Sequence, residues 1–240
     1  MARRLSWKAS ALALALLAVS LAGGSAVGPA SAQGRGPSDD VRASASLDVA
    51  SSAIPTVAQP LVTDSARADT TMGPSSDKAV ATATATSNCA GCSGTATTLQ
   101  TVSVAKGGSA IADNIATAWS SCANCSSSAV SVQIITGENA KSVNVNNRSL
   151  ALNVACASCT TTAAALQFVV IGGADRSLSA TTRSLIKQIE QELGIKLAVN
   201  GKSHAAAQRD ADDAAAKAQA AIAADTKAEV RSKADVDTGE

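Results

Sequence analysis

The sequence predicts a mainly β fold with a C-terminal α-helix, an α+β arrangement built on a three-unit Cys-x-x-Cys repeat. Disordered or partly helical segments flank it. Three observations predict this. Cys-x-x-Cys pairs stand at Cys89/Cys92, Cys122/Cys125 and Cys156/Cys159, with first cysteines 33 and then 34 residues apart. That period marks one supersecondary unit used three times. A β-branched, alternating stretch follows each pair, and a stripe of aliphatics at helical spacing follows the third stretch.

In chain order, residues 1–32 read as a signal peptide. Arg3, Arg4 and Lys8 form a positive start, Ala9 to Ala22 a short apolar run, and Ala30-Ser31-Ala32 a small-residue cleavage site before Gln33. The run is shorter than the ~20 residues that span a bilayer. No cysteine follows it to carry a lipid. The expectation is a secreted, extracellular protein with no stable membrane anchor once the signal is removed. Arg3-Arg4 also hints at twin-arginine export.

Residues 33–87 are rich in Ser, Ala, Thr, Asp, Pro and Gly with isolated aliphatics, the composition of a disordered linker. Residues 88–200 form the repeat domain. Aligned on the first cysteine of each pair, Ala96, Ala129 and Ala163 coincide, as do Leu99, Val132 and Leu166, and Gln100, Gln133 and Gln167. The stretches TATTLQTVSV, SAVSVQIIT and AAALQFVVI are therefore three strands. The approaches IATAWSSC and SLALNVAC read as further strands, with helices that run into the cysteines as the alternative. In that alignment Ala116 matches Leu150 and Ala118 matches Leu152, and Asp113-Asn114 and Asn146-Asn147 supply turns before them.

Ser179 caps a helix running to about Leu193, with Leu185, Ile186, Ile189 and Leu193 on one stripe and Gly194 ending it. Ile195 to Val199 reads as a short edge strand. Residues 201–240 are an Ala-rich, charged, solvated and partly helical tail, with Ile222 and Val230 as its large apolar anchors.

Composition excludes several function classes. Beyond the signal the chain has one Trp (Trp119), one Phe (Phe168) and no Tyr, so its core rests on Val, Ile, Leu and Ala. A net charge of +1 without a basic block argues against nucleic acid as partner. The lone histidine, His204, lies in the tail and rules out most histidine-based triads and the His-Glu-x-x-His metal site. Gly107-Gly108 and Gly172-Gly173 lack the strand–loop–helix context of a phosphate cradle. Asp113, Glu138, Asp175, Glu190 and Glu192 are scattered carboxylates, and Asn147-Arg148-Ser149 matches a glycosylation acceptor. No cofactor is expected.

The chemistry concentrates on Cys89, Cys92, Cys122, Cys125, Cys156 and Cys159. In an exported protein paired cysteines persist as disulfides, and the leading reading is one disulfide inside each pair. Bridges between neighbouring repeats, zinc held by thiolates and thiol–disulfide exchange are the alternatives. Six ligands do not divide into four-coordinate sites, and no Lys, Arg or helix start adjoins a pair to activate a thiol. Gln100, Gln133 and Gln167 read as a structural ladder of amides, with a polar binding strip as the alternative.

Three sequence elements resemble a Cys-x-x-Cys repeat domain found in secreted and membrane-attached proteins of actinobacteria. They are Cys-x-x-Cys followed by an Ala-x-x-x-Gln-x-Val-like strand, Asn-x-x-x-Ala-x-Asn at Asn147 to Asn153, and Leu-Ser-x-x-x-Arg at Leu178 to Arg183. The likeness runs from Cys89 to about Leu193, under half of the chain, and the first repeat departs from it at Ile115 to Trp119. In some relatives the domain follows a segment assigned as a peptide zinc metalloprotease. This chain carries no zinc-binding histidine motif, so that activity does not transfer. The resemblance implies a module and a location rather than an activity. The expected function is a secreted, non-enzymatic structural or interaction module whose partner is an extracellular protein or cell-surface component.

Overall fold

The computed structural model describes residues 47–74, 77–137, 139–172, 177–199 and 202–239. The expected signal peptide and the first part of the expected linker lie outside these residues. Eight strands come first: β1 (Leu47–Ala53), β2 (Leu61–Met72), β3 (Asp77–Ser87), β4 (Ser93–Val104), β5 (Ser109–Ser120), β6 (Ser126–Gly137), β7 (Ser142–Asn153) and β8 (Thr160–Ile171). Helices α1 (Ala180–Leu197) and α2 (His204–Thr226) and strand β9 (Glu229–Thr238) complete the chain.

The chain changes sheet at every turn. Odd strands pair in parallel in the order β1-β3-β5-β7; even strands pair in parallel in the order β2-β4-β6-β8, and β9 joins β8 antiparallel. Each rung of this solenoid thus gives one strand to each sheet, and like residues stack on like. The fold is mainly β with C-terminal helices, as the sequence predicts.

Alternation sets the layers. Between the sheets lie mostly methyl groups: Ala83, Ala85, Ala116 and Ala118 face Ala96, Ala129 and Ala163, all fully buried. The other face of the even sheet carries the larger residues, among them Val132, Ile134, Leu166 and Phe168, and the helices cover it with Ile186, Leu193, Leu197 and Ile222. Strand β6 is buried on both faces and, Gln133 apart, is apolar or small.

Several expectations require correction. Among the described residues the solenoid has four rungs, since β1 and β2 form one without cysteines, and β1, β2 and β3 lie where a disordered linker is expected. Composition hides this because small residues suffice against a small-residue neighbour: in KAVATATATS, Ala79, Ala81, Ala83 and Ala85 are fully buried, and Ala83 and Ala85 pack on other alanines. The charged tail is α2 and β9. Ala207, Ala211, Ala214, Ala218 and Ile222 make a buried stripe at helical spacing, and Val230 and Val236 of β9 join the same core.

Ser179 does cap α1, its hydroxyl accepting from Thr182 N at 3.2 Å. The helix passes through Gly194 to Leu197, however, so no edge strand forms at Ile195 to Val199. A Cβ at Gly194 would lie 3.2 Å from Thr97 Cγ2, so the glycine serves close approach of α1 to β4. Leu185 is 42% exposed and belongs to the outer side of α1.

The approaches to the cysteines are strands, and Asn114 and Asn147 sit inside them, not in turns. Alignment on the cysteines misplaces β7 by one residue. Ala116 pairs with Ser149 and Ala118 with Ala151, which leaves Leu150 and Leu152 on the exposed face. The extra residue of the longer repeat is taken up after β7, where Ala155 adopts a φ of +49°. A one-residue slip exchanges the faces of a strand.

Candidate functional site: the stacked cysteine turns

The cysteine pairs occupy the same corner of three successive rungs, each in the turn that carries an odd strand into the next even one. Within each turn the third residue has positive φ: Gly91 at +71°, Asn124 at +54° and Ser158 at +57°. Gly and Asn enter that region readily. This bend brings the two cysteines together, with Cα–Cα separations of 5.4, 5.7 and 5.8 Å, and the sulfurs of each pair lie at disulfide distance. In the first rung Pro55 and Pro60 flank a turn closed instead by reciprocal backbone bonds of 3.0 Å between Thr56 and Gln59.

The turns themselves stack. Gly91 N donates to Ala123 O at 3.0 Å and Asn124 N to Ala157 O at 2.9 Å, so the backbone ladder continues through the corner. The second and third pairs abut: Cys125 Sγ lies 3.8 Å from Cys156 Sγ and 3.6 Å from Cys159 Sγ. These three sulfurs lie within 4.8 Å of one another, close enough to ligate one ion if reduced. Cys122 Sγ is not part of that group, and Cys92 Sγ is one rung away beside Thr56 O.

The other neighbours of the sulfurs are carbonyl oxygens, those of Ser87 and Cys122 above all. Among the described residues no lysine or arginine donates to them. Oxygen lone pairs repel a thiolate, so the corner lacks the cationic setting of reactive cysteines. Cys92 and Cys125 are buried, while Cys156 and Cys159 are half-buried.

The three glutamines are joined inside the solenoid. Gln133 Nε2 donates to Gln100 Oε1 and Gln167 Nε2 to Gln133 Oε1, both at 2.7 Å, and Gln100 Nε2 reaches Leu47 O. Gln100 and Gln133 have no exposed surface to offer a partner. Only the last, Gln167, borders an open cleft.

A second row went unread in the sequence. Asn114 Nδ2 donates to Asn147 Oδ1 at 2.7 Å and Ser131 Oγ to Asn114 Oδ1 at 2.6 Å, with backbone carbonyls taking the remaining donors. The signal was present, because Asn114 and Asn147 are one register step apart. Asn147 is also the residue of the glycosylation match. Asn147 is 6% exposed and its amide is committed to Ala165 O and Lys233 O, so the folded chain does not present it.

One further buried group lies apart from the corner. Glu190 of α1 pairs with Arg67 of β2 at 3.3 Å, its other oxygen finds no partner, and burial raises its carboxyl above the usual range against the pull of Arg67. His204 is the first residue of α2.

No family model, curated protein or solved structure matches this chain.

Proposed function

We propose that this chain is an exported, non-enzymatic structural or interaction module, held together by disulfides within its Cys-x-x-Cys turns. Its partner is an extracellular protein or cell-surface component. The observation that carries the reading is the corner itself: three pairs at disulfide distance, stacked in register and faced by carbonyl oxygens rather than cations. Disulfides of that kind fit an oxidising compartment. Among the described residues no helix is long and apolar enough to cross a membrane.

A second reading, zinc binding or thiol–disulfide exchange, draws on the grouping of Cys125, Cys156 and Cys159. Three thiolates are the protein share of an open zinc site. Alkylation of protein purified from culture medium, under denaturing and non-reducing conditions, separates the two. The module reading expects no cysteine to react and no zinc in the native mass spectrum. Reactive thiols on these residues, or retained zinc, would replace it with the second.

A further inference from the structure

The solenoid is closed unevenly at its last rung. β9 extends the even sheet past β8, while β7 remains the edge of the odd sheet. An edge strand of a parallel sheet turns the N–H and C=O of alternate residues outward with no ladder partner. In one half of β7 the side chains of β9 take that role. Asp235 Oδ2 accepts from Ser149 N at 2.7 Å and Ser149 Oγ at 3.0 Å, and Asp237 Oδ2 accepts from Ala151 N at 2.9 Å.

The other half is treated differently. Between Val143 and Asn147 of β7 and the start of β9 lies a cleft of about 630 Å³. Here β9 offers Arg231 and Lys233 in place of aspartates, both exposed. Lys233 is in register with Gln167, so it follows Gln100, Gln133 and Gln167 on the inner face of the even sheet. Gln100 Oε1 and Gln133 Oε1 each accept from the amide of the next rung. Gln167, the last of the row, is 4% exposed and borders the cleft. Val143, Val145 and Val169 supply apolar surface, and Val145 is 40% exposed. Among the described residues, the charges lining the cleft are Arg231, which also reaches Glu229 at 3.2 Å, and Lys233.

We propose that this cleft binds an extended acidic peptide segment, which adds to β7 as the next strand of the odd sheet. Its backbone pairs with the open edge from Val143 to Asn147, and every second side chain, pointing inward, brings a carboxylate to Arg231 or Lys233. Main-chain pairing supplies affinity and the alternate side chains selectivity, as in other strand-addition complexes. The chain already pairs carboxylates with this edge through Asp235 and Asp237; in the open half it supplies cations, so the complementary anion comes from outside. The inference deepens the module reading by naming a partner class. Its test reads peptide binding, whereas the test of that reading uses thiols, so either can fail alone.

The probe is a fluorescently labelled, end-blocked peptide of alternating Val and Asp, about ten residues long to match strands of this length. Its counterpart alternates Val and Lys. Anisotropy against the whole chain is expected to show saturable binding of the Val/Asp peptide only. The double substitution Arg231→Glu, Lys233→Glu is expected to weaken it at least ~10-fold, as reversal of contacting charges does. Val145→Pro, which removes one edge N–H on a strand position that tolerates proline, is expected to weaken it as well. Circular dichroism of both variants checks that they fold. Absence of binding, equal binding of the Val/Lys peptide, or indifference to the charge reversal would overturn the proposal. So would indifference to Val145→Pro, or full competition by succinate, either of which would leave an anion site without strand addition.

Discussion

Gln133 shows what one residue does in this fold. Its amide donates to Gln100 Oε1 and Asp113 O and accepts from Gln167, all inside the buried interior between the sheets. Gln133→Leu leaves buried partners unpaired and is expected to cost about 3 kcal/mol by chemical denaturation, at ~1–3 kcal/mol per stranded group. Replacing all three glutamines by leucine removes both sides of each amide–amide bond, so it should cost less per residue. Glu190 is the opposite case. Its folded carboxyl titrates above the ordinary 4.5, so the folded state holds its proton longer than the unfolded chain. Stability from this group is therefore highest at low pH and falls as pH rises from 4.5 through the raised folded value. Glu190→Gln removes that slope and leaves Arg67, which is 31% exposed, free to hydrate. The variant should exceed the parent at pH 7 by about 1 kcal/mol, read from denaturation midpoints at pH 4.5 and pH 7. Asp225 acts in a lower window with opposite sign: the backbone N–H of Ser179 lowers its carboxyl, so its contribution is lost only as pH falls below 3.8.

At the scale of the element, β9 decides how the solenoid ends. It pairs with β8 along its whole length, docks Val230 and Val236 under α2, and caps β7 with Asp235 and Asp237. Asp235→Ala with Asp237→Ala should leave the β8 pairing intact and loosen β7. Amide exchange at Ser149 and Ala151 is expected to accelerate at least ~10-fold, the ratio for a loss of ~1.4 kcal/mol in local opening, while β4 and β6 amides stay unchanged. Unchanged exchange at Ser149 would show that the carboxylates contribute nothing to this edge. The elements also show what a sequence makes legible. Strands β4, β6 and β8 and the cap of α1 could be read directly, because Gln100, Gln133 and Gln167 recur at one phase with aliphatics around them. Strands β1 to β3 and the buried face of helix α2 could not, because alanine marks no face until its neighbour is known. The register of β7 was lost for a related reason: Ala155 absorbs one residue between strand and cysteine, so counting from the cysteine slips the strand.

At the scale of the molecule, four rungs share two sheets, and the cysteine turns lock one corner of the last three. A disulfide within a Cys-x-x-Cys turn closes a very short loop, so each one removes little entropy from the unfolded chain, less than the ~3 kcal/mol of a 15-residue loop. Its role is to hold a left-handed bend where the next turn stacks upon it. Adjacent rungs bring Cys125 within 3.6 Å of Cys159, so pairing within turns and pairing across rungs compete in one place, and the difference decides how the corner is built. Tryptic mapping without reduction reads that difference directly. Cleavage after Lys78, Lys106, Lys141 and Arg148 places each Cys-x-x-Cys pair on its own peptide. The account predicts three unlinked peptides, each two hydrogens lighter than its reduced form. Peptides joined through sulfur, above all those carrying Cys125 and Cys159, or peptides of full reduced mass, would contradict it.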